Sequence, residues 1–539
     1  MTHRRSFLTS ATGAGALTAL GQLGFLGRLP SVSAAEAKLP PHLVRFHPEI
    51  EPLVRLLEDT PRERVLEEVA ARVRRGLSYR EVLAALMLAG IRSVQPRPVG
   101  FKFHAVLVVN SAHLASLASP DSERWLPIFW AVDQFKSSQA ANVKEGNWLM
   151  GPVDEAAVPP SHKAKQAFIE AMDNWDESAA DAAITGLVRT AGANELFEIF
   201  VRYGMRDFRD IGHKAIYVAN SFRTLEVIGW HHAEPVLRSL AYALLDRTGA
   251  KENPAKADLP ADRPFRQNLE IVKQVREGWL DGKRDAGATK ELLQAVRSGA
   301  PADTSASALK LLNQGVAPQS VFDALFDSAG ELLMQVPGII SLHAMTFTNA
   351  IHYAWHRTQS DETRRLLLLQ NAAFLPLYRG DRPDKGIHID TFEPLTPDAK
   401  GEEAVAEIFA DIGKDRLTAA RKVLGYLQGQ NSAQPIADAA RRLVFLKGTN
   451  SHDYKFSSAV LEDYEHLAQP WRDRLLAASV FNFRGSGEKD NELVRRIRSA
   501  LGAQDDTALA TGWPWLGRSS VRARSSRRRG PAIGHATLP

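Results

Sequence analysis

The chain has 539 residues, 44% of them hydrophobic, enough for one large helical domain or two to three ordinary ones. It has no cysteine, which excludes disulfides, thiolate metal ligands and a cysteine nucleophile. The formal charge of +5 comes from the ends: nine of 67 basic residues (Arg4, Arg5, Arg28, Arg518, Arg522, Arg524, Arg527, Arg528 and Arg529) lie in acid-free terminal stretches, the other 58 face 62 acids for a net −4, and nucleic acid is not an expected partner.

The N-terminus reads as a twin-arginine export signal over residues 1–34. Arg4-Arg5-Ser6-Phe7-Leu8 carries the arginine pair, an Ala/Gly/Leu run follows to Leu26, and Val32-Ser33-Ala34 offers a small-residue cleavage site. The expected partner is the twin-arginine export machinery and the expected location is the periplasm or the medium. This route carries folded proteins, so a metal can be loaded before export. No other stretch reaches the ~18 apolar residues of a membrane span, so none is expected after cleavage.

A single all-α domain is expected over residues 40–505. The helical period starts near residue 50 with Leu53, Leu56, Leu57, Val65, Val69 and Val73, and continues through Val82, Leu83, Leu86, Met87 and Leu88. Joints fall at Pro96–Pro98, Pro152–Pro160, Gly249–Pro264 and Gly380–Gly401. The last is long enough for a lid or an insertion and carries His388 and Asp390 as further site candidates. Residues 512–539 read as a basic disordered tail.

Four segments place a histidine in an apolar stretch: Phe103-His104-Ala105-Val106, Gly212-His213-Lys214-Ala215, Leu342-His343-Ala344-Met345 and Ser451-His452-Asp453-Tyr454-Lys455-Phe456. The first and third align without gaps, from His104 through Asn110 to His113 and from His343 through Asn349 to His352, and Gly212 to Ser221 is a looser copy. Residues nine apart lie on opposite sides of a helix, so His113 and His352 cannot join their partners at one metal. Residues three or four apart share a face, which pairs His452 with Lys455 and His352 with His356. A metal site built from His104, His213, His343, His452 and Lys455 follows, with Asp207, Asp210 and Glu226 as carboxylates behind the histidines. Imidazoles suit iron, zinc and copper. A buried lysine loses its proton readily, and the neutral amine can add carbon dioxide to become an anionic carbamate ligand.

Other features read as structural. Trp125, Phe129, Trp130, Trp230 and Tyr242 are expected in the core, His231 and His232 at an exposed helix end, and His466 in solvent. A Gly-x-Ser-x-Gly elbow, a phosphate-cradling loop and His-Glu-x-x-His are all missing from the sequence. Two rivals to an oxidative enzyme remain: a non-catalytic helical scaffold or binding protein, and a zinc-dependent hydrolase using the same histidines.

Three blocks resemble the questin oxidase-like family: Gly212-His213-Lys214-Ala215-Ile216 to Leu240-Ala241-Tyr242-Ala243, Leu342-His343-Ala344-Met345-Thr346 with Gln370 to Tyr378, and His452-Asp453-Tyr454-Lys455. The likeness spans roughly residues 95–485. Around His104 it departs from the family's His-Asn-His cluster. The resemblance implies a helical fold and oxygen-dependent chemistry on aromatic polyketides such as anthraquinones. It further implies non-haem Fe(II) held by His104, His213, His343, His452 and a carboxylated Lys455, with the last two also catalytic. The partners so implied are a small aromatic substrate and O2. NADPH is not expected outside the cytoplasm.

Overall fold

The computed structural model describes residues 42–502. Among them are 22 α-helices joined by turns and short 3-10 segments, with no strand and one isolated bridge between Lys283 and Val316. The all-α expectation therefore holds. The leader and the basic tail lie outside the described residues. No described helix is long and apolar enough to cross a membrane.

Local signals start these helices where the sequence provides them. Ser78 caps the Tyr79–Ser93 helix in a reciprocal box: its hydroxyl accepts from Glu81 N–H, and Glu81 accepts from Ser78 N–H. Val82 to Ser93 is then buried without interruption, so this helix forms the floor of the core rather than a one-sided face. Its last turn buries Arg92, which the carboxylates of Glu51 at 2.6 Å and Glu58 at 2.7 Å hold in place. Leu53, Leu57, Val65 and Val69 are buried as the helical period predicts, as are Phe129 and Trp130.

Four helices position the site: His104–Leu117, His213–Ile228, Ile339–Arg357 and Ser451–Asp463. Each packs on the next in cyclic order, and the fourth closes on the first. The first three are apolar over most of their surface, and the fourth buries polar residues such as Asp453, Lys455 and Asp463 beside Tyr454, Phe456 and Val460, so all four lie in the interior. The segment from Gly380 to Gly401 does not cover them. It lies on the Pro318–Gln335 helix, where Ile389 N–H donates to Glu331 and Gln335 donates to the Ile387 carbonyl. His388 faces Glu331 and Asp384, and Asp390 pairs with Arg297, so these two further candidates serve that packing instead.

Candidate metal centre

The four histidines stand where their helices begin. His104 and His213 are the first residues of theirs, His452 is the second, and His343 is in the first turn and a half. The chain reaches three of these starts through left-handed backbone: Gly100 and Phe101 (φ 130° and 48°), Asp210, Ile211 and Gly212 (53°, 46° and 80°), and Gly338 (148°). A β-branched residue at φ 46° is strained, and here Tyr378 secures it by donating its hydroxyl to the Ile211 carbonyl at 2.9 Å. A Cβ on Gly212 would stand 2.1 Å from that hydroxyl. One on Gly100 would stand 3.2 Å from the His213 ring, so glycine leaves the room this imidazole occupies.

The tight starts aim main-chain carbonyls back at the imidazoles. His104 Nδ1–H donates to Phe101 at 2.7 Å, His213 Nδ1–H to Asp210 at 2.5 Å, and His343 Nδ1–H to Ile339 at 2.6 Å. A carbonyl oxygen has no proton to give, so each Nδ1 must carry the hydrogen and each neutral ring presents a bare Nε2. These three nitrogens converge, with ligand atoms within 4.8 Å of one another. Nε2 of His104 and Nε2 of His213 are 3.1 Å apart. Two lone pairs at that distance repel unless a cation lies between them. Neighbouring nitrogens bound at ~2.0–2.1 Å are themselves about 2.9–3.4 Å apart. The His452 ring lies 4.4 Å from the His104 ring and 5.1 Å from the His343 ring, centre to centre.

Protons do not resolve this arrangement. Burial, and then the charges of Lys455 and the neighbouring rings, holds His104, His213 and His343 well below the usual histidine range. Burial and then Lys455 pull His452 down to about 4. Burial brings the Lys455 amine down to about 7. Among the described residues, Nε2 of His343, Nε2 of His452 and Nζ of Lys455 are buried without a hydrogen-bond partner. The three converging imidazole nitrogens of His104, His213 and His343, with His452 and Lys455 beside them, form a neutral donor set that suits a divalent transition metal.

The anticipated carboxylates are elsewhere. Asp207 pairs with Lys214 at 2.8 Å and Glu226 with Arg357 at 2.8 Å. Asp210 contributes its carbonyl rather than its carboxylate, which burial raises to about 7. Main-chain oxygens do the orienting because the left-handed turns place them within reach, and no residue type marks them in the sequence. His232 is buried, since it packs on His47 and His231 at the Trp230–His232 turn, whereas His231 and His466 are exposed.

A polar channel runs from Lys455 down the interior of the bundle. Asn110, Asn220, Asn349 and Ser458 line it, each six or seven residues beyond its helix's histidine, and Arg223 and Glu462 pair at 2.8 Å ten residues beyond theirs. Its volume of about 20 Å³ admits one or two waters or a diatomic molecule. Asn110, Asn220 and Asn349 share a wall because each lies six or seven residues, about two helical turns, beyond a histidine of the centre.

The fold and this donor set define an all-α protein with a histidine centre. Comparison with protein-family models, curated proteins and solved structures gives no match for this chain.

Proposed function

We propose that the chain is an exported oxidoreductase: a non-haem iron, oxygen-dependent enzyme acting on an aromatic or polycyclic small molecule. One observation carries the reading. Three imidazoles with locked tautomers turn bare Nε2 atoms on one point, beside a fourth imidazole and an amine that have no other partner. His104, His213, His343 and His452 would hold iron(II), which supplies electron-transfer chemistry toward dioxygen. Zinc would bind the same nitrogens, but catalytic zinc takes three protein ligands and this centre offers more.

Lys455 completes the donor set. With its amine brought to about 7, a large fraction is neutral at physiological pH, so Nζ can bind as an amine or add carbon dioxide and bind as a carbamate. The channel brings water and small gases to that atom while apolar helices exclude bulk solvent. Export through the twin-arginine route to the periplasm fits a centre loaded in the cytoplasm.

Elemental analysis of the purified protein, paired with oxygen uptake on aromatic substrates, tests the reading. The expected result is about one iron per chain and uptake that Lys455→Ala abolishes. A fully folded protein that takes up no metal would overturn it, and undiminished turnover in Lys455→Ala would remove the lysine from the centre.

A further inference from the structure

The channel is too narrow for an organic substrate, but a second, mainly apolar cleft runs beside it. Leu114 and Ala115, Val444 and Phe445, and Leu461 form its apolar wall. Its volume is about 200 Å³. The two cavities share Leu114, Ser458 and Glu462, so the cleft adjoins the passage to Lys455. The floor is firm: Tyr454 stacks on Trp130 at 3.8 Å between ring centres and touches Phe445 at 5.5 Å.

Arg441, Ser457, Ser458 and Glu462 break the apolar lining; Ser458 donates to the Ser111 carbonyl at 3.0 Å, and Ser457 and Arg441 have capacity to spare. Ser457 Oγ is buried with no hydrogen-bond partner among the described residues, a deficit that a ligand oxygen would satisfy. Arg441 is buried too, and its guanidinium makes one bond to Ser119 Oγ at 3.0 Å and a long one to Asp438 at 3.4 Å. Five donors leave it capacity for a carboxylate. At the shared edge Glu462 Oε2 accepts from Arg223 and Asn349, and among the described residues no bond joins Glu462 to Arg441.

We propose that this cleft binds an aromatic acid of one or two rings, its rings against the apolar wall, a hydroxyl or carbonyl oxygen on Ser457 and its carboxylate on Arg441. The size follows from the volume, which is below the ~300–1,000 Å³ of sites for drug-sized ligands. A tricyclic quinone of the kind the family resemblance implies would fill the whole volume and fits less well than a smaller ring system. That this ligand is the substrate rests on the oxidative reading; that it binds here does not.

Calorimetry on the full chain with 3-hydroxy-2-naphthoate, 2-naphthol and anthraquinone-2-carboxylate is the test. The hydroxynaphthoate binds one per chain, and the anthraquinone binds at least about tenfold more weakly. Arg441→Gln weakens the hydroxynaphthoate about tenfold and leaves neutral 2-naphthol nearly unchanged. Ala118→Trp, at the exposed mouth where a larger side chain does not disturb folding, weakens both. No binding to the wild type at millimolar ligand, full affinity in Ala118→Trp, or preference for the anthraquinone overturns the proposal. Tight binding without oxygen uptake would defeat the oxidative reading and leave the cleft's assignment standing. Uptake from a ligand that Ala118→Trp does not displace would do the reverse.

Discussion

Two groups of histidines bring Nε2 atoms to the same 3.1 Å separation, His104 with His213 and His352 with His356, yet they are chemically different. In the first, main-chain carbonyls hold the other nitrogen of each ring, so the facing atoms are both acceptors. In the second, the rings stand one turn apart on one helix, among Phe322, Phe326 and Trp355, with His466 beside them. Among the described residues no carbonyl tethers their Nδ1 atoms. One ring can then donate its Nε2–H to the other, and an ordinary hydrogen bond accounts for the distance. Proximity of imidazoles is therefore a poor sign of a metal centre. The fixed tautomer is the better one.

The largest expected effect breaks the comparison directly. His213→Ala should cut bound metal more than about tenfold by elemental analysis, whereas His352→Ala leaves it unchanged at one per chain. Two metals per chain, or equal losses from the two variants, would show that the groups are alike.

Two buried lysines show the same contrast between a partnered and an unpartnered group. Lys214 bonds to Asp207 and to the Asp246 carbonyl, whereas Lys455 has no hydrogen-bond partner among the described residues. Lys214→Met should cost about 3–5 kcal/mol in urea unfolding because it removes the nearer cation from the buried carboxylate of Asp207, leaving it Arg209 at 3.4 Å. Lys455→Met, measured without metal, should cost nothing or stabilise.

A smaller effect tests the turns. Gly212→Ala puts a Cβ at positive φ into Tyr378, and should cost about 2–4 kcal/mol together with metal affinity. If metal retention survives that change, the backbone before His213 does not set the centre.

The smallest effect concerns pH. Burial, and then the charges of His356, His466 and Arg223, holds His352 down at about 2. The unfolded chain binds a proton at this position near pH 6.5 and the folded chain does not, so stability falls as pH drops below 6.5. His352→Asn should make that fall shallower, by about 1 kcal/mol between pH 6 and 5 in denaturant titrations. An unaltered slope would mean that His352 already accepts a proton in the fold.

The helical class was legible because the apolar period of 3.6 runs through residues such as Leu53, Val65 and Val69, and that spacing depends on the chain alone. The candidate nitrogens were legible as well, since an imidazole inside an apolar run is conspicuous. The tethers were not. The carbonyls of Phe101, Asp210 and Ile339 are common to every residue type, and only the backbone direction at Gly100, Gly212 and Gly338 makes them partners. The carboxylates of Asp207, Asp210 and Glu226 looked suitable by composition, but two of them satisfy nearby cations and the third turns only its carbonyl to the histidine.

Local order along the chain thus determined that the protein is helical, free of thiols, and supplied with a histidine in each of four separate segments. Only the tertiary structure decided that His104, His213 and His343 face one another with bare nitrogens while His352 and His356 form an ordinary pair. The physical reason is that a period along one helix states which face a residue takes, whereas the meeting of four helices, and the proton on each ring, depend on contacts between residues more than a hundred positions apart.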